Sequence, residues 1–117
     1  MDQSVASSAS SRTFWTTDDI RHKVESAKVV VFAKGNTFKP GCGYSERALN
    51  ALQDCGRPFE VVDVREDRSI LAALRVFAGR CSLPLVFVNG DLVSTSEELK
   101  EVVESGELKD RIEKAFS

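Results

Sequence analysis

The sequence has few of the residues from which metal centres and disulfide frameworks are built. Its 117 residues include one histidine and three cysteines, Cys42, Cys55 and Cys81, with no CxxC pair among them. Structural zinc sites use cysteine and histidine ligands at short repeated spacings, so no structural zinc site is expected. An odd cysteine count also argues against a disulfide framework and favours a reducing intracellular compartment, either mitochondrial or cytoplasmic.

Long apolar runs and a strong excess of one charge are absent as well. The longest apolar run, residues 29–33, is too short to span a bilayer, so we expect no membrane partner. Lysine and arginine total 16 against 18 aspartate and glutamate, giving a net charge of −2. This balance supplies no basic field to hold nucleic acid. A hydrophobic content of 42% is that of an ordinary globular domain.

The first residues offer little to bury. Residues 1–15 are rich in serine, and we interpret them as a disordered lead-in to one domain over residues 16–117. Trp15 is expected to anchor this lead-in on the domain. Transit peptides are also rich in serine, but they carry more arginine and avoid acidic residues such as Asp2, so mitochondrial import stays open.

The rest of the chain alternates helical and strand patterns in the order αβαβαββαα. Apolar runs predict strands at residues 29–33, 59–62, 85–88 and 92–93. Ser94-Thr95-Ser96 followed by Glu97-Glu98 predicts a helix that begins at Glu97. The strand–helix–strand beginning predicts a parallel pair, and Asn89-Gly90 predicts a tight antiparallel hairpin near the end. We therefore predict an α/β, thioredoxin-like fold: a four-stranded mixed sheet flanked by helices on both faces.

The residue with the clearest chemistry is Cys42. It lies between glycines in the loop that leads into a helix predicted over residues 45–53. Unpaired amide groups at a helix N-terminus stabilise negative charge, so a thiol there is biased toward thiolate, and Lys34 should add positive charge. A thiolate attacks disulfides and binds soft metals. Ser45 occupies the place where a second cysteine would complete CxxC, so Cys42 has no local resolving partner.

The stretch KGNTFKPGCGYS, residues 34–45, resembles the active site of monothiol glutaredoxins, whose signature is K-G-T-x4-P-x-C-G-F-S. The similarity continues through Ser82-Leu83-Pro84, which matches a T-I-P segment with a cis-proline, and through Asn89-Gly90. It covers residues 17–116. CGYS by itself is a weak signal, but CGYS, KG, SLP and NG at matching spacings are specific together.

This resemblance implies glutathione, or a related low-molecular-mass thiol, and a 2Fe-2S cluster shared by two protomers. Cys42 would be the catalytic thiol and the iron ligand, with glutathione thiolates completing the ligand set. Lys34 and Arg75 would hold the glycyl carboxylate of glutathione, the backbone of Leu83 before Pro84 would pair with the tripeptide, and helix amides would receive its γ-glutamyl end. The glutathione-binding residues are expected to be Lys34, Tyr44, Arg75, Leu83, Pro84, Ser96 and Glu97.

The chain departs from the family pattern at several positions near this site. Ser94-Thr95 replace a glycine pair, Arg80-Cys81 replace Trp-Pro, and Leu71 stands where the family has a carboxylate-binding arginine. Glu97 is one methylene longer than the aspartate of the family. These differences leave open whether the native thiol is glutathione or a conjugate, such as a polyamine conjugate. Cys55 and Cys81 are interpreted as incidental or structural thiols.

Three functions remain open from the sequence. The first is a carrier that binds a 2Fe-2S cluster as a homodimer, is monomeric without it, and hands the cluster to recipient proteins. The second is a weak glutathione-dependent oxidoreductase acting on glutathionylated proteins. The third is a thioredoxin-fold interaction module that has lost small-thiol binding. We rank them in this order.

Overall fold

The computed structural model describes residues 14–36, 43–80 and 82–117. Its strands are β1 (Val29–Ala33), β2 (Glu60–Asp63), β3 (Leu85–Val88) and β4 (Asp91–Ser94). Its helices are α1 (Thr17–Glu25), α2 (Gly43–Asp54), α3 (Ser69–Ala78), α4 (Leu99–Glu104) and α5 (Glu107–Phe116). The element order is the predicted one.

The four strands form one mixed sheet in the order β2-β1-β3-β4. β1 and β2 are parallel, whereas β3 is antiparallel to both β1 and β4. The β3–β4 hairpin turns at Asn89 and Gly90, which both have positive φ, at 52° and 83°. This backbone is the one for which an Asn-Gly pair is favoured, and the predicted hairpin is confirmed.

Helices cover both faces of the sheet, as predicted. On one face, α1 and α3 pack against Val30 and Phe32 of β1. On the other face, α2, α4 and α5 pack against Val29, Val31 and Ala33 of the same strand. Because side chains alternate along a strand, covering both faces buries all five residues of β1 and explains its unbroken apolar run.

Some predicted boundaries differ from the observed ones. β2 runs from Glu60 to Asp63, one residue later than predicted, and ends on a buried carboxylate. The helix expected to begin at Glu97 begins at Leu99, because residues 96–98 form a turn before it. Both shifts occur where polar side chains make local hydrogen bonds to the backbone, which apolar periodicity does not register.

The lead-in contacts the domain at Trp15, the predicted anchor. Its backbone N–H donates to Ser69 Oγ at 2.7 Å, and its side chain packs against the α1–α3 core. Ser69 in turn donates to Asp67, so Trp15 is linked to the beginning of α3. In the described part of the chain, no helix is both long and apolar enough to cross a membrane.

Candidate functional site

Each of the four strands has one of its two ends at the same end of the sheet, which we call the sheet edge. Ala33, the last residue of β1, pairs with Asp63, the last residue of β2, and Phe32 pairs with Leu85, the first residue of β3. β4 runs back toward this edge and ends at Ser94. Segments that follow β1, β2 and β4, together with the segment that precedes β3, therefore come together here.

A cavity of about 520 Å³ lies beside this edge, between the end of β1 and α3. Its lining contains both residues predicted to hold a carboxylate, Lys34 and Arg75. Two further cations, Arg65 and Arg68, also line it, and none of the lining residues is acidic. We call Lys34, Arg65, Arg68 and Arg75 the cationic cluster. Volumes of this order hold small organic ligands.

Asp63 organises one side of the cavity. Its buried carboxylate accepts hydrogen bonds from Arg65 Nε at 3.0 Å and Arg65 Nη2 at 2.9 Å, which form a two-pronged pair. It also accepts the backbone N–H of Gly35 at 2.9 Å. The Arg65 hydrogen bonds are the main reason that the pKa of Asp63 falls from 3.8 to about 2. Gly35 has a φ of 102°, a conformation that favours glycine.

Ser45 joins the end of β1 to the beginning of α2. Its side chain is fully buried, and its Oγ accepts the backbone N–H of Lys34 at 3.0 Å. The position of a resolving cysteine is thus taken by a hydroxyl that holds Lys34 in place beside the helix that follows Cys42. The neighbouring Tyr44 is 57% exposed on the first turn of α2.

The other predicted glutathione contacts lie at the same sheet edge, outside the cavity lining. The Leu83–Pro84 peptide bond is cis, as the resemblance implied, and Pro84 directly precedes β3. Ser96 and Glu97 follow β4, half-buried and exposed respectively. The structure thus brings Lys34 and Arg75 together in one cavity and brings the remaining residues to its edge of the sheet.

The turn that carries Ser96 and Glu97 is held by a reciprocal pair of hydrogen bonds. Thr95 N–H donates to Glu98 Oε1 at 3.2 Å, and Glu98 N–H donates to Thr95 Oγ1 at 3.4 Å. These hydrogen bonds close the turn over residues 96–98, which precedes α4 and ends at its N-cap residue, Glu98. Ser94 and Thr95, which replace the glycine pair of the family, are both buried by the chain itself.

Cys42 and Cys81 lie outside the described residues. Cys55 follows α2, is half-buried and packs against the core formed with α5. Burial is the main cause that raises the pKa of the Cys55 thiol, which keeps it in the neutral form. Cys55 therefore has the environment of a structural thiol.

Sequence reasoning missed Asp63, Arg65 and Arg68 as parts of the site. The available signal was their position in the chain: Asp63 ends the strand parallel to β1, Arg65 and Arg68 follow it, and the ends of parallel neighbours lie at the same end of a sheet. Arg65 and Arg68 belong to none of the motifs that carry the resemblance. Only the turn between β2 and α3 brings them onto the cavity that Arg75 lines.

Comparison with known proteins decides the family. The glutaredoxin family model matches residues 29–93, from β1 into β4. This chain belongs to the glutaredoxin family. A Synechocystis protein named "uncharacterized monothiol glutaredoxin ycf64-like" is 35% identical over 94 residues, which cover 80% of this chain and 88% of that protein. Glutaredoxin 4 of Pasteurella multocida is 33% identical over 93 residues, 80% of this chain and 85% of its own. The predicted likeness to monothiol glutaredoxins is confirmed.

Solved glutaredoxin structures share the fold. The holo form of glutaredoxin C1 from poplar (Populus tremula x tremuloides) aligns with a TM-score of 0.74 and 27% identity, over 85% of this chain and 96% of that one. Reduced apo GrxS14 from poplar aligns with a TM-score of 0.72 and 29% identity, over 85% and 91% of the two chains. The predicted thioredoxin-like fold of this glutaredoxin is confirmed.

Proposed function

We propose that this glutaredoxin binds glutathione and, as a homodimer, a bridging 2Fe-2S cluster that it passes to recipient proteins. The observation that carries the proposal is the shared cavity of Lys34 and Arg75 at the sheet edge where the chain enters α2. Two cations that line one cavity suit the glycyl carboxylate of glutathione, because charge-assisted hydrogen bonds are stronger than hydrogen bonds between neutral groups.

The donor set of the chain fits a cluster that takes part of its ligands from outside the protein. Among the described residues, no group of three or more histidine, cysteine or acidic side chains could hold a metal ion. Ser45 supplies a buried hydroxyl where a second thiolate would otherwise stand. Cys42 would be the thiolate that each protomer gives, and glutathione would supply the other sulfur ligands. The bound cluster would be cargo, with the chain binding and orienting the thiols around it.

The second candidate is a glutathione-dependent oxidoreductase, favoured by the same substitution at Ser45. The Cys42 thiolate would attack the glutathione sulfur of a mixed disulfide, and the protein thiolate would leave. A second glutathione thiolate would then attack that sulfur and release oxidised glutathione and the Cys42 thiolate. Both candidates need glutathione in the cavity, and they differ in what the Cys42 sulfur does next.

Anaerobic reconstitution with iron, sulfide and glutathione tests the proposal. We expect a coloured dimer from the wild-type chain and a colourless monomer from Cys42→Ser. Cys55→Ser is the matched control and should keep the colour, because Cys55 packs in the core formed with α5. A colourless monomer from the wild-type chain would contradict the cluster proposal. Turnover of a glutathione mixed disulfide by that monomer would then support the second candidate.

A further inference from the structure

The cationic cluster holds more positive charge than one carboxylate uses. Lys34 and Arg75 are assigned to the glycyl carboxylate, yet Arg65 and Arg68 line the same cavity. Asp63 engages Arg65 through the two-pronged pair. No carboxylate among the described residues forms an ion pair with Arg68. The proposed function therefore assigns no negatively charged partner to Arg68.

The position of Arg68 also runs against the preference of its own helix. Arg68 immediately precedes Ser69, the first residue of α3, and no acidic residue lies in the first turn of that helix. A helix N-terminus disfavours cations, because its unpaired amide groups carry partial positive charge. Asp67, the residue before Arg68, accepts hydrogen bonds from Ser69 and lines a different cavity, with Trp15. A cation kept at such a place is better explained by a ligand than by helix stability.

The cavity floor separates Arg68 from Arg75. Leu71 and Ala72 line the cavity between the two arginines along α3. Leu71 also packs against the α1–α3 core, so its side chain is fixed. A single carboxylate bound between Lys34 and Arg75 would leave the Arg68 side of this open cavity to a second group on the same ligand.

We propose that the cavity is a site for two anionic groups, and that Arg68 selects thiol peptides whose C-terminal residue carries a side-chain carboxylate beside its terminal one. The proposal rests on the proposed function, since Lys34 and Arg75 must hold the terminal carboxylate. It also disfavours polyamine conjugates of glutathione, because these lose the free glycyl carboxylate and add positive charge that the cationic cluster repels.

Three unreactive analogues test the proposal by calorimetry or NMR titration of the full chain at low salt. They are S-methylglutathione and the S-methyl forms of γ-Glu-Cys-Glu and γ-Glu-Cys-Gln. The Glu and Gln peptides differ by one charge at nearly constant size. We expect the Glu peptide to bind about two- to fivefold more tightly than the Gln peptide, the range for an exposed charge pair. The preference should decrease as salt is added.

Variants connect this preference to Arg68. Arg68→Gln should bring the Glu-to-Gln affinity ratio close to one, with binding of the Gln peptide retained, and Arg68→Lys should keep most of the preference. Arg111→Gln, on α5 at the other face of the sheet, removes the same charge and should leave the ratio unchanged.

The outcomes separate this inference from the proposed function. Binding of S-methylglutathione with equal affinity for the Glu and Gln peptides would overturn the two-anion site and leave the proposed function intact. A preference that survives Arg68→Gln would overturn the role of Arg68. No binding of any analogue would contradict the glutathione site itself, and the inference with it.

Discussion

Asp63 connects the segment after β1 with the segment after β2, and both segments contribute residues to the cavity lining. Its carboxylate holds the backbone of Gly35 after β1 and the guanidinium of Arg65 after β2. A buried carboxylate without these donors would be costly, so the hydrogen bonds are a condition of its burial. Asp63 is thus a positioning residue, and its protonation state affects both stability and the shape of the cavity.

We expect Asp63→Asn to destabilise the protein by about 1–2 kcal/mol at pH 7, since solvent screens the 45% exposed Arg65. The pKa of Asp63 is about 2 in the folded chain, below its ordinary 3.8, so its ionised form stabilises the fold above about pH 4. This contribution is lost as the pH falls from about 4 to 2. Denaturant unfolding at pH 7, 4 and 2 should show wild type and variant converging at the lowest pH.

Glu113→Gln provides the comparison for this experiment. Glu113 pairs with Arg57 on the surface, where both side chains are 42% exposed. Its loss should matter less at pH 7 than the loss of Asp63. A constant gap between wild type and Asp63→Asn from pH 7 to pH 2 would contradict the ionised Asp63–Arg65 pair.

Reciprocal hydrogen bonds between a threonine and an acidic residue precede two helices of this fold, as a capping box at α1 and as a closed turn before α4, and only the second pair lies at the site. Before α1, Thr16 and Asp19 exchange hydrogen bonds between side chain and backbone. Before α4, Thr95 and Glu98 do the same. Ser96 and Glu97 lie between Thr95 and Glu98, so this turn determines the positions of the proposed γ-glutamyl contacts.

We expect Thr16→Ala and Thr95→Ala each to lower the free energy of unfolding by about 1 kcal/mol, the usual effect of losing a helix cap for Thr16 and a side-chain hydrogen bond for Thr95. Only Thr95→Ala should also weaken binding of S-methylglutathione, because it frees the turn over residues 96–98. Denaturant unfolding and an NMR titration of both variants measure the two effects. Equal glutathione affinity in the two variants would argue against a role for this turn.

At the scale of these elements, the sequence predicted more about strands than about loops. β1, β3 and the Asn89-Gly90 hairpin carry strong local signals, and they lie where predicted. The predicted beginning of α4 is two residues early, since Thr95 and Glu98 hold residues 96–98 in a turn before the helix. The hydrogen bonds of Asp63 join residues from two separate loops. The hydrophobic periodicity of a single segment carries no information about such contacts.

Over the whole molecule, charge is distributed unevenly. The chain has a net charge of −2, yet four cations line one cavity beside the end of β1. The family resemblance identified Lys34 and Arg75 in advance: Lys34 is part of the KG motif, and Arg75 stands where the family has a lysine. Arg65 and Arg68 lie in a turn that no motif covers, so the full strength of this field could not be predicted from the sequence.

The proposed function requires Cys42 to be a thiolate at neutral pH, and both the cationic cluster and the beginning of α2 favour a negative charge there. The backbone N–H of Lys34 donates to Ser45 Oγ, three residues after Cys42, so the residue that carries this positive charge is anchored beside the same helix beginning. We propose that Cys42 is thereby kept ionised and reactive at neutral pH. Glutathione exchange and cluster binding both depend on that thiolate.

The rate of Cys42 alkylation as a function of pH tests this central claim most directly. A chain with Cys55→Ser and Cys81→Ser leaves Cys42 as the only thiol, and iodoacetamide labelling of the folded and urea-unfolded forms can be compared by mass spectrometry. We predict that the folded rate is half-maximal at least about one pH unit below the ordinary cysteine value of about 8.5, and that Lys34→Gln moves it upward. A folded profile that matches the unfolded one, or a folded thiol that does not react, would contradict the account.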